Sequence, residues 1–178
     1  MADVVVRSTQ PALGAIKLAW WRERLEELDQ GKVPAEPRLQ AAAKELLPRG
    51  ITGAELAGLE DGWAALLEEF PDHERVVERG VCLFGVAARL LDLDFGDELR
   101  TAARLHARVD AARRGLLDLE AEAVVPAAFS GRRARPLTAL AALAARDLRR
   151  GGPPFEPEGT PARAWTLLRH RLTGHFPR

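Results

Sequence analysis

The chain has no tyrosine and no asparagine, and only two isoleucines, one cysteine and one methionine in 178 residues. Aromatic and β-branched strand formers are therefore scarce, which argues against an all-β fold. The lone Cys82 excludes a disulfide framework and a cysteine-based zinc site. No run approaches the roughly 20 apolar residues that span a bilayer, so no transmembrane segment is expected. The start, Met1 to Arg7, lacks a basic segment followed by a long apolar core, so it does not read as a secretory signal. The expected location is the cytoplasm, at most peripheral to a membrane. Glycine-rich phosphate loops, a His-Glu-x-x-His zinc motif and a nucleophile elbow are also missing. Net charge is zero and the sparse aromatics are not interleaved with basic residues, so nucleic acid is not an expected partner.

Alanine (31 residues) and leucine (27) make up a third of the chain, and both are strong helix formers. The charge is unevenly placed. Residues 1–99 carry 11 basic and 19 acidic side chains, a net of −8, and residues 100–178 carry 15 and 7, a net of +8. Such halves attract each other within one domain, or the Arg-rich half meets phosphate, anionic lipid or an acidic partner.

Helix signals recur along the chain. Pro11 opens a helix to about Asp29, with Leu18, Trp21, Leu25 and Leu28 on one face and Leu13, Ile16 and Trp20 widening it. The prolines at 34 and 37 make a linker, followed by a short helix from Pro37 to Leu47. Thr52-Gly53-Ala54-Glu55 reads as a capping box opening a helix to Phe70, and Asp72 caps the next one. Further helices are expected from Asp97 to about Leu117, Leu119 to Phe129, Leu137 to Leu148, and Pro161 to Leu172. Residues 151–159 form an extended Gly/Pro loop before the last helix. The sum is a single all-α domain, a bundle of about eight helices.

Few residues suggest chemistry. His106 and Asp110 are four apart on one helix face and form a candidate acid–base or ligand pair. Arg132, Arg133 and Arg135 cluster in a loop that could grip phosphate, or form plain surface. Asp92, Asp94 and Asp97 lack the spacing of a calcium loop and read as a helix end followed by a cap. Glu60 and Asp61 read as solvated, Cys82 as core, and His170 and His175 as too close to a fraying terminus to matter.

Three segments resemble the squalene/phytoene synthase family. Residues 10–25, with Gln10-Pro11-Ala12-Leu13-Gly14 and Leu18-Ala19-Trp20-Trp21-Arg22, are similar to the family's Glu-Pro-x-Leu-Gly-x-x-Arg-Leu-x-Trp-Trp-Arg stretch. Residues 78–91 look like the helix before its second aspartate motif, and Arg135-Pro136-Leu137 to Leu148 like its late Arg-Pro-Leu helix. The resemblance implies an isoprenoid-synthase-like bundle with the usual opening helices missing. Active members hold Mg²⁺ between two Asp-rich motifs, because a diphosphate leaving group needs its charge neutralised. Here the first motif has no counterpart, and the second reaches only Asp110, followed one turn later by Arg114.

The implied protein is thus degenerate, with no catalytic or metal-binding residue and no cofactor. It binds a lipid or isoprenoid, or assists assembly, with Arg22, His106 and Asp110 as the substrate-binding remnants. A bundle short of one wall exposes an apolar strip, to be covered by a second copy of the chain or a partner protein. Two alternatives remain open. One is an active prenyltransferase-like enzyme using Mg²⁺, with a partner subunit supplying the acidic motif, and the other is a purely structural helical domain.

Overall fold

The computed structural model describes residues 1–119 and 131–176. These are all-α, with no strand among the described residues. Two compact units divide the chain, residues 1–82 and 83–178. The helix expected from Leu119 to Phe129 lies, beyond its first residue, outside the described residues.

In the first unit a short helix, α1 (Ala2–Val6), precedes the long α2 (Pro11–Leu28), which has proline in its first turn as expected. Helix α3 (Pro37–Glu45) is capped by the Glu36 carboxylate, which accepts from the Leu39 amide at 2.9 Å. The capping box holds as read: Thr52 Oγ1 accepts from the Glu55 amide, and Glu55 accepts from the Thr52 amide. The helix it opens does not run on to Phe70. It breaks into α4 (Gly53–Ala57) and α5 (Leu59–Ala64), with a 3₁₀ turn at Ala65–Leu67. Gly58 and Gly62 lie in this stretch, and glycine weakens a continuous helix. Helix α6 (His73–Leu90), whose last eight residues belong to the second unit, begins where Asp72 Oδ1 accepts from the Glu74 and Arg75 amides.

Helix α2 packs on α4 and α5, and it buries Leu18, Leu25 and Leu28. The widened face expected of it is not buried: Leu13, Ile16 and Trp20 are exposed, at 50%, 64% and 42%. Offsets of three and seven put these three side chains on one stripe of their own, so α2 has two apolar stripes and buries one. Glu60 is also not solvated. It is buried, with the Arg22 guanidinium 3.6 Å away, while its neighbour Asp61 is exposed and bonded to Arg75.

The second unit is built on α7 (Asp97–Arg113), α8 (Arg135–Arg149) and α9 (Pro161–Thr173). Helix α8 packs against both of the others. It buries Leu137 and also Thr138, Ala141, Ala142, Ala144 and Ala145, small residues that let helix axes approach closely. Helix α9 buries polar residues instead, namely Arg163, Thr166 and His170.

His170 is fully buried, far from the frayed residue expected so near the terminus. Its Nε2 lies 2.8 Å from Thr138 Oγ1 on α8, and its Nδ1 lies 3.2 Å from the His175 carbonyl. Neutral imidazole satisfies both contacts when Nδ1–H donates to the carbonyl and the Thr138 hydroxyl turns its one proton to Nε2 and away from the Ala134 carbonyl, which lies 3.1 Å off. Burial first, and then the charge of Arg135, hold the His170 pKa below its ordinary value, against the opposing His175 hydrogen bond. A base whose folded pKa is depressed contributes stability that is complete above its unfolded pKa. That stability is lost as the pH falls below about 6.5. Melting temperature should therefore drop between about pH 7 and pH 5.5, where carboxylates remain ionised. The drop should be flattened in His170→Gln; an equal drop in that variant would refute the assignment.

Candidate functional site

An open cleft of about 510 Å³ lies in the second unit, lined by α7, α8, the loop at Glu158 and the start of α9. Two of the three residues expected to bind substrate, His106 and Asp110, meet there. The third, Arg22, lies in the first unit on α2. Its side chain is exposed and donates from Nε to Glu26 at 3.2 Å. That bond first, and then the charges of Glu26 and Glu60, raise its pKa. The geometry gives Arg22 a local role, neutralising the buried Glu60.

Within the cleft the helical spacing of α7 decides what meets what. His106, Asp110, Arg113 and Arg114 project from one side because they are three and four apart. The Arg114 guanidinium takes the Asp110 carboxylate side-on, with Nε 3.0 Å from both oxygens and the terminal nitrogen 3.0 Å from Oδ1. The His106 ring stacks at a tilt on Phe84, with centroids 5.7 Å apart.

At the back of the cleft is a buried charged triad that sequence reasoning missed. Asp147 on α8 is 2% exposed. Its Oδ2 accepts from Arg113 at 3.0 Å and its Oδ1 from Arg163 at 2.6 Å. Arg113 also donates to the Glu156 carbonyl at 3.0 Å and lies over the Phe155 ring. A second ion pair continues this network: Arg146 donates twice to Glu156 Oε2, and Thr160 donates to Oε1. The Thr160 hydrogen bond first, then Arg146, hold the Glu156 carboxyl below the usual carboxylate range. The extended 151–159 loop is thereby tied to α8 and α9.

A signal for the triad was present. Leu140, Leu143, Ala144 and Asp147 follow helical spacing, so Asp147 falls on the apolar side of α8. An acid in that place needs a cationic partner. Beside the triad, Val109, Leu140, Leu143 and Ala144 supply an apolar wall, and Leu140 is 40% exposed there.

The described residues that line the cleft do not fit a magnesium cluster. Both oxygens of Asp147 and both of Asp110 are bonded to guanidinium groups, and Glu158 is exposed on a loop. Among the described residues no three His, Cys, Asp or Glu side chains are grouped to hold a metal ion. Comparison of the chain with protein-family models, with curated proteins and with solved structures gives no match.

Proposed function

We propose that the chain is a non-catalytic relative of the squalene/phytoene synthases, with an isoprenoid-synthase-like bundle, that binds a lipid or isoprenoid in the cleft of the second unit. One observation carries this reading: Arg114 occupies Asp110 at the place where the family resemblance calls for a second acidic residue. An Asp–Arg pair has no spare charge with which to hold a metal–diphosphate complex. The cleft as a whole is balanced, because Arg113, Arg114 and Arg163 offset Asp110, Asp147 and Glu158. It therefore favours an apolar chain with a polar, weakly charged head over a diphosphate. The chain would lie on Leu140, Leu143 and Val109, and the head against His106 and Arg114. The cleft is within the size range of small-molecule sites.

Farnesyl diphosphate and Mg²⁺ separate this reading from an enzyme. No pyrophosphate should be released, and Mg²⁺ with pyrophosphate should leave the melting temperature unchanged. A fluorescent farnesol analogue should bind equally well with and without EDTA. Leu140→Glu should weaken that binding about tenfold or more, since it puts a charge on the apolar wall. Released pyrophosphate, or a farnesol analogue that does not bind, would overturn the proposal.

A further inference from the structure

Helix α9 is turned inside out. The face it packs against α8 carries Arg163, Thr166 and His170, while Trp165, Leu168 and Leu172 face outward at 64%, 46% and 66% exposure. Those three are spaced three and seven apart, so they form one stripe along the helix. Arg169 and Arg171 alternate with them and are also exposed. Beside the stripe runs an open groove of about 560 Å³, floored by Pro136, Ala139 and Leu167 and edged by Arg132, Arg135 and Arg171. Arg135 braces it by donating to the carbonyls of Arg171 and Leu172 at 2.8 and 2.9 Å.

No acidic residue occurs after Glu158. On α8 the one acid is Asp147, already bonded to Arg113 and Arg163. Among the described residues no carboxylate reaches ion-pair distance of Arg132, Arg133, Arg169 or Arg171. The positive field is dense enough that Arg146 and Arg169, after burial, lower the pKa of Arg149.

A stripe of tryptophan and leucine flanked by arginines that no described carboxylate pairs is complementary to one kind of surface. It matches a layer of anionic headgroups over hydrocarbon, where leucine and indole enter the acyl boundary and guanidinium groups meet phosphate. We infer that the outer face of α9, with the Arg132–Arg171 groove beside it, docks the protein on a bilayer of anionic phospholipid. Docking is peripheral, because no described helix is long and apolar enough to cross a membrane. It rests on the charge and exposure of α9 and is independent of what the cleft binds.

Vesicle sedimentation tests it with the full chain. The protein should pellet with phosphatidylcholine vesicles containing phosphatidylglycerol and stay in the supernatant with pure phosphatidylcholine. Each basic side chain at such a surface strengthens binding about fivefold, so Arg169→Ala with Arg171→Ala should weaken partitioning roughly thirtyfold. Leu168→Asp with Leu172→Asp should abolish it. These side chains are exposed, so helicity by circular dichroism should not change in either pair. The blue shift of tryptophan fluorescence on anionic vesicles should vanish in Trp165→Phe. Failure to pellet with anionic vesicles would overturn the inference, as would equal binding to neutral ones or binding indifferent to the arginines. A stable dimer that Leu168→Asp with Leu172→Asp converts to monomer, without vesicle binding, would assign the face to a second copy instead.

Discussion

Replacing Asp147 by Asn should destabilise the second unit by about 3–5 kcal/mol, the cost of leaving buried cations without their counter-charge. The size follows from the number of partners. Asp147 is the common acceptor for Arg113 and Arg163, whose side chains are 17% and 8% exposed. Asparagine keeps the shape but removes the charge, and one of its two polar ends then presents N–H to a guanidinium. Arg113 retains the Glu156 carbonyl, so the greater share of the loss falls on Arg163. Urea unfolding of Asp147→Asn should show a lower midpoint at unchanged slope. Arg163→Met in the Asp147→Asn background should recover part of the loss, because it removes the stranded cation. A loss below about 1 kcal/mol, or no recovery, would mean that solvent already screens the triad.

Local features of the fold were legible because their causes are local. The prolines at the starts of α2, α3 and α9, the Asp72 cap and the Thr52–Glu55 box all act within one helical turn, and each stands as read. Which face of a helix is buried was less legible. On α2 two apolar stripes compete, Leu18-Leu25-Leu28 and Leu13-Ile16-Trp20, and periodicity alone does not say which meets a neighbour. On α9 the apolar stripe is outside, because polar partners inside, Thr138 for His170 and Asp147 for Arg163, make burial of that face possible. The candidate site divides the same way. His106 and Asp110 reach one cleft, as their spacing on one helix demands. Asp147 and Arg163 join them across 37 and 53 residues of sequence from Asp110 and are invisible to any local pattern.

Gly53→Ala should cost the first unit about 2–3 kcal/mol, through space and not through backbone freedom. A Cβ at position 53 would collide with the Leu25 carbonyl oxygen of α2. That oxygen belongs to a helical backbone and cannot retreat as a side chain end can. The only relief is for α4 to move away from α2, and the move breaks a second contact. Asp29, at the end of α2, accepts from the Gly53 amide at 2.6 Å and the Ala54 amide at 2.9 Å, capping α4 from 24 residues away. The glycine and the aspartate therefore serve the same junction. Asp29→Ala alone should cost about 1 kcal/mol, as for a lost N-cap, and should cost less in the Gly53→Ala background, where the contact is already strained. Trp165→Phe leaves tryptophans only at 20, 21 and 63, all in the first unit, so fluorescence in that background follows this unit alone. Gly53→Ala should lower the midpoint of that transition. Strict additivity of the Gly53 and Asp29 substitutions would show that the cap survives the displacement, and the close approach of α2 and α4 would then not depend on glycine.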